Sequence, residues 1–177
     1  MRVVLARHPV PLIQPGICYG RLDTPIHPNA DIEGLVRDPV FTGSAVVWTS
    51  PARRCRAPAE RLAGALSIPL IADPRLLELD FGNWEGKSWD EVPRAELDRW
   101  AADPRGFRAP GGESGDELIA RVSDFFAGLD RDCTVVSHGG PLRVLSALLQ
   151  GEAIDLLAQP QALGTAVALT KAPGLPA

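Results

Sequence analysis

Two histidines carry the chemistry this chain is able to do. His8 ends the segment Arg2-Val3-Val4-Leu5-Ala6-Arg7-His8, and His138 ends Thr134-Val135-Val136-Ser137-His138, just before Gly139-Gly140. Each stands past a short β-branched apolar run, the pattern of a buried strand. In an open α/β sheet, ligands bind beyond the carboxyl ends of the strands. Both imidazoles therefore belong on one functional rim. A histidine beside an arginine pairs a nucleophile with an anion-binding group: imidazole forms covalent intermediates, and a guanidinium fork matches phosphate oxygens. A second histidine on the same rim can hold the same anion. The plainer reading, histidines that merely cap strand ends, leaves the adjacent Arg7 and the following glycine pair unexplained. The only other histidine is His27.

Two further segments add charge. Ser50-Pro51-Ala52-Arg53-Arg54-Cys55-Arg56 follows a second apolar run and opens a helix with three arginines. A helix N-terminus favours anions through its free N–H groups and dipole, so cations gathered there imply a bound anion or a nearby acid. On a helix, Arg53 and Arg54 cannot both face inward. In Leu76-Leu77-Glu78-Leu79-Asp80-Phe81-Gly82-Asn83-Trp84-Glu85-Gly86, Glu78 sits between leucines. A carboxyl group flanked by leucines can be desolvated, which favours the protonated form a general acid requires. Spacing alone leaves Asp80 and Glu85 as competitors. Asp80-Phe81-Gly82 matches the kinase metal motif by coincidence, because the glycine-rich and catalytic loops of a kinase are absent. Neither a P-loop nor a GxGxxG fingerprint occurs.

The elements that must position these groups alternate between strand and helix. Residues 2–6 read as the first strand, and residues 9–28 as a long Pro- and Gly-punctuated loop of the length that is usually functional. Residues 29–38 form a short helix ended by Pro39. A strand at 45–49 precedes a helix over 52–66 that Pro58 should kink. A short strand at 69–72 leads into the irregular, Trp-rich stretch 76–93. A helix at 94–102 and a loop at 103–112 follow. Residues 114–129 place Leu118, Ile119, Val122, Phe125, Phe126 and Leu129 on one helical face. Then come a strand at 133–137, helices at 141–150 and 153–158, a last strand at 164–170 and a Pro/Gly tail expected to fray. The pattern predicts one α/β domain over residues 1–177, three layers, with a mainly parallel sheet and helices on both faces.

Bulk properties narrow the partners. The chain has 177 residues, enough for one domain with a sizeable core, and a formal charge of −4. That balance argues against nucleic acid and membrane surfaces, which want a basic face. The three cysteines, Cys18, Cys55 and Cys133, are odd in number and widely spaced. They suggest neither a zinc site nor a redox pair; free thiols fit a reducing cytoplasm. The five-residue N-terminal apolar run is too short for a signal peptide, and no stretch approaches the ~18 apolar residues of a membrane span. No metal or other cofactor is expected, and nothing here sets an oligomeric state.

Taken in order, Arg7-His8, Ser50-Pro51-Ala52-Arg53-Arg54, Leu77 to Gly86, Gly111-Gly112-Glu113-Ser114 and Val136-Ser137-His138-Gly139-Gly140 resemble the histidine phosphatase superfamily, in its phosphoglycerate mutase-like branch. The resemblance spans nearly the whole chain. It implies that His8 accepts the phosphoryl group, that Arg7, Arg54 and His138 hold it, and that Glu78 is the proton donor. Tyr19, Gly20 and Gly139 match positions near the substrate. The implied activity is metal-independent hydrolysis of a small phosphate ester; the alternatives are a mutase, or a binding module that has lost turnover. Cys18 to Ile26 looks like the α-ribazole phosphatase-like subgroup, which acts late in cobalamin assembly. One departure stands out. The family continues Arg-His-Gly-Glu-Thr with an Asn soon after, whereas this chain has Pro9-Val10-Pro11 and no Asn before Asn29. Gln14 is the nearest substitute, and the prolines remove two backbone donors.

Overall fold

The computed structural model describes residues 1–172. Five strands form one sheet in the order β3-β2-β4-β1-β5: β1 Arg2–Arg7, β2 Val47–Thr49, β3 Leu70–Ala72, β4 Cys133–Ser137 and β5 Ala166–Thr170. β1, β2, β3 and β4 run parallel, and β5 closes one edge antiparallel to β1. The strand side chains alternate between two cores. Val3, Leu5 and Val135 pack under α4 (Gly115–Ala127) and α5 (Gly139–Gln150). Val4, Ala6 and Val136 pack under α1 (Ile32–Val36) and α2 (Arg53–Leu66). The three layers follow from this period of two in buried parallel strands. Over the rim, α3 (Arg94–Ala102) joins an aromatic cluster of Trp84, Trp89, Trp100, Phe81 and Phe107.

Local chemistry sets the boundaries. α4 starts on a capping box, with Ser114 Oγ accepting the Glu117 N–H and the Glu117 carboxylate accepting the Ser114 N–H. α5 begins at Gly139 rather than 141, directly after His138. α2 runs on through the buried Pro58, and α1 is shorter than the expected 29–38. The helix expected over 153–158 does not form. Asp155 instead accepts the Leu157 N–H in a tight turn, and Arg143 takes the Ala158 carbonyl; local side-chain bonds of this kind compete with helix. The tail expected to fray lies outside the described residues beyond Ala172. No described helix is long and apolar enough to cross a membrane.

The pairing of β1 with β4 brings Arg7 opposite Ser137, so His8 and His138 leave adjacent strands together, with the His8 N–H on the Ser137 carbonyl at 3.1 Å. On the other side of β4, the Ser50 N–H bonds the Val136 carbonyl. α2 leaves β2 on one face and α5 leaves β4 on the other, which makes the space beyond these strand ends the switch point where α/β sheets bind ligands. The irregular segment that carries Glu78 is tied to the same edge by the buried Ser137 hydroxyl, which donates to the Leu76 carbonyl at 2.7 Å. Ser137→Ala should therefore lower stability by about 1–2 kcal/mol, the cost of a lost buried hydrogen bond. A urea midpoint that moves with an unchanged slope would register it; an unmoved midpoint would show that this bond does not anchor the segment.

Candidate active site

His8 and His138 are both buried, 1% and 0% exposed, and their rings meet edge to face at 5.2 Å. The Pro9 carbonyl lies 2.7 Å from His8 Nδ1. A carbonyl only accepts, so Nδ1 carries the proton and Nε2 keeps its lone pair. Burial, reinforced by Arg54 and Arg7, pulls the His8 pKa down to about 3, against the pull of the Pro9 hydrogen bond. The ring is neutral at physiological pH, with the Nε2 lone pair uncommitted. Pro9 has thus kept the one backbone atom that matters here, its carbonyl.

Arg54 is 1% exposed, and each of its three guanidinium nitrogens makes one hydrogen bond. It donates to the Gly20 and Leu22 carbonyls at 2.6 and 2.8 Å and, through Nε, to His138 Nδ1 at 3.2 Å. His138 Nε2 then donates to Ser50 Oγ at 2.8 Å. Both imidazole nitrogens are engaged, and burial together with Arg54 pushes the His138 pKa well below its ordinary value. Arg53 and Arg56 point to solvent, so one of the three helix-start arginines faces inward. Tyr19 lies against Arg54, its ring centroid 5.3 Å from the guanidinium carbon. Gly20 is required by crowding: a Cβ would collide with the Leu79 carbonyl and approach Phe81.

Arg7 donates to the Gln161 carbonyl at 2.6 Å, while its Nε is buried with no partner. An unpartnered guanidinium N–H in a buried position costs free energy unless an acceptor is supplied. A Cβ at Gly139 would sit 3.4 Å from Arg7 Nη2, so the glycine leaves that face of the cation open. Arg7, Arg54, His8 and His138 lie together near the start of α5, two cations beside two buried imidazoles, a grouping suited to an anion of phosphate size.

Among the competing carboxylates the geometry discriminates. Glu85 is spent on the backbone, accepting from Arg21, Leu22 and Phe81. Asp80 accepts the Gly82 N–H and faces Arg21. Glu78 instead reaches α5, accepting the Gly140 N–H at 3.1 and 3.2 Å and the Leu79 N–H at 2.9 Å. Its position depends on residues the motif spacing did not single out. Arg121 donates to the Arg75 and Glu78 carbonyls at 2.6 and 3.0 Å, and is itself held by Glu113 at 2.6 Å. Gln161 and Ser50 likewise gain a place only through tertiary contacts. Gln14 is exposed on the loop, with its carbonyl taken by the Ile17 N–H. Among the described residues no cluster of His, Cys, Asp and Glu could hold a metal ion.

Comparison with known proteins gives the family. The family model of the histidine phosphatase superfamily (branch 1) matches residues 3–171. A Hydrogenobacter thermophilus protein named, provisionally, phosphoserine phosphatase 2 is 30% identical over 151 residues, covering 80% of this chain and 74% of that one. Glucosyl-3-phosphoglycerate phosphatase of Mycolicibacterium vanbaalenii is 30% identical over 179 residues, covering 87% and 76%. The crystal structure of an α-ribazole phosphatase from Shigella flexneri superposes with a TM-score of 0.81 at 24% identity, covering 95% of this chain and 89% of that one.

The depressed histidine pKa values carry a stability consequence. The unfolded chain protonates His8 near pH 6.5, while the folded chain resists until about 3, so stability is full above the unfolded pKa and falls as pH drops below it. His138 acts in the same direction. His8 alone should cost about 2 kcal/mol by pH 5, from 1.36 kcal/mol per pH unit below the unfolded pKa. Urea midpoints at pH 7.5 and 5.0 measure this. Equal stability at both would mean the imidazoles are not held neutral.

Proposed function

Since this chain belongs to the histidine phosphatase superfamily, branch 1, and is a phosphatase of that metal-independent family, we propose that it hydrolyses small phosphate monoesters through a phosphohistidine on His8. One observation carries the assignment: a buried neutral imidazole, its Nδ1–H held by the Pro9 carbonyl, beside two cations of which one has an unpartnered donor.

The chemistry proceeds in two displacements. The His8 Nε2 lone pair forms an N–P bond as the ester O–P bond breaks, and protonated Glu78 gives its proton to the departing oxygen. Water then attacks phosphorus and loses a proton to the Glu78 carboxylate as the N–P bond breaks. Inorganic phosphate leaves, with His8 neutral and Glu78 protonated as at the start. The Pro9 carbonyl stabilises the ring while it carries positive charge in the phosphoenzyme. Arg7 and Arg54 face the equatorial oxygens, where preorganised charge lowers the barrier. His138 orients Arg54 and packs against His8; a direct phosphoryl contact requires its Nε2 to turn from Ser50. Tyr19 and Gly139 border the pocket, and Gly20 lets the loop approach. The segment Cys18 to Ile26 favours α-ribazole 5′-phosphate as a substrate to set beside phosphoserine and glucosyl-3-phosphoglycerate, which the relatives' names suggest.

His8→Ala should abolish both turnover and acid-labile phosphoryl labelling, while wild-type activity persists in excess EDTA and is inhibited by vanadate. Labelling that survives the substitution would move the nucleophile elsewhere. Loss of activity on chelation, restored by a divalent ion, would overturn the metal-free chemistry.

Glu78→Gln preserves size but cannot donate a proton. The pre-steady-state burst with alkyl phosphates should slow by ~10²–10⁴-fold, the usual contribution of general acid catalysis. An activated aryl phosphate needs little protonation, and its burst should slow much less. Equal losses on both would reject Glu78 as the acid.

A further inference from the structure

A cavity of about 260 Å³ opens beside Glu78 and Gly140. Phe81, Trp100, Leu118, Leu156 and Leu157 form its walls, and Arg143 supplies a cation. Leu157 is 48% exposed, an apolar side chain left in water at this border. The Arg143 Nε is used on the Ala158 carbonyl at 2.7 Å, and among the described residues its two terminal nitrogens have no hydrogen-bond partner.

On the reading above, Glu78 protonates the oxygen that leaves phosphorus. Whatever that oxygen carries must therefore extend into the space next to the Glu78 carboxyl. This cavity, with Glu78 and Gly140 in its lining, borders that carboxyl. We infer that it is the leaving-group subsite, and that it selects alcohols bearing a planar apolar ring system with an acceptor or anionic group turned toward Arg143. Apolar walls return free energy in proportion to the apolar area they cover. A compact zwitterion such as serine gains little here. Its ammonium group would give up water among leucines and a tryptophan and face the Arg143 charge. Substrate choice then rests on the residues around α3 and the turn at 155–158, while the phosphoryl chemistry rests on the strand ends.

The test compares esters of similar leaving-group reactivity: 2-(1-naphthyl)ethyl phosphate, propyl phosphate and O-phosphoserine. The naphthylethyl ester should exceed each of the others at least tenfold in kcat/KM. Leu157→Ser, at an exposed position that the fold tolerates, should cut the naphthylethyl-to-propyl ratio at least fivefold. Hydrolysis of all three esters without this preference, or a preference that Leu157→Ser leaves intact, overturns the subsite and spares the phosphatase reading. Failure to hydrolyse any ester or to label His8 is a failure of that reading instead. Calorimetric titration with 2-(1-naphthyl)ethanol, which needs no turnover, then decides the cavity by itself: saturable binding weakened by Leu157→Ser supports it, and no binding overturns it. A ring-carboxylated analogue should bind more tightly than the parent alcohol, and Arg143→Met should erase that difference; an unchanged difference overturns the role of Arg143.

Discussion

Everything in the pocket depends on a guanidinium held out of water. Burying a cation is expensive unless its donors are satisfied, and Arg54 is satisfied by two loop carbonyls and an imidazole nitrogen. Each partner is thereby fixed in turn. The Gly20 and Leu22 carbonyls anchor the long loop after β1 against the start of α2. The bond from Nε sets His138 with its Nδ1 accepting, which leaves Nε2–H for Ser50. The same charge helps keep both imidazoles neutral. A site built this way stores an unmet demand for negative charge, which the orphaned Arg7 Nε adds to.

The candidate acid is held by different means. Its segment is neither helix nor strand over residues 77–81, so its backbone groups cannot be satisfied by a ladder and must borrow partners. Arg121 takes the Glu78 carbonyl from it, Ser137 takes the Leu76 carbonyl just before it, Glu113 accepts the Asp80 N–H, and α5 offers the Gly140 N–H to the Glu78 carboxylate. The irregularity has a use. A regular element would direct neighbouring side chains in fixed alternation, whereas this segment turns Glu78 to α5 and spends Asp80 and Glu85 on the turn itself. The two halves of the site meet through α5: its first residues follow His138, and its second N–H holds Glu78.

Much of this architecture was legible in the chain. The β-branched runs before His8 and His138, the alternation of strand and helix, and the apolar face from Leu118 to Leu129 led directly to a three-layer α/β fold. Helix geometry allowed only one of Arg53 and Arg54 to turn inward, and the resemblance, not the geometry, pointed to Arg54. The short helix read into 153–158 failed because Asp155 preferred a local turn to helix. Glu78 could not be separated from Asp80 and Glu85 by spacing, because all three lie in one irregular stretch whose path is set from outside.

Residue type and order by themselves determined the strands, the longer helices, the rim on which the two histidines sit and the family of chemistry they serve, because short-range pattern governs secondary structure and strand ends. Only the tertiary structure decided the rest. Placing β1 beside β4, across more than a hundred residues of intervening chain, brought the imidazoles together. Long-range hydrogen bonds chose the His138 tautomer, assigned Glu78 to α5, recruited Arg121, Ser50 and Gln161, and left a cavity lined by Trp100 and Leu157 next to Glu78. Those choices depend on which groups are deprived of water and which partners remain to satisfy them, and that is set only when distant segments pack.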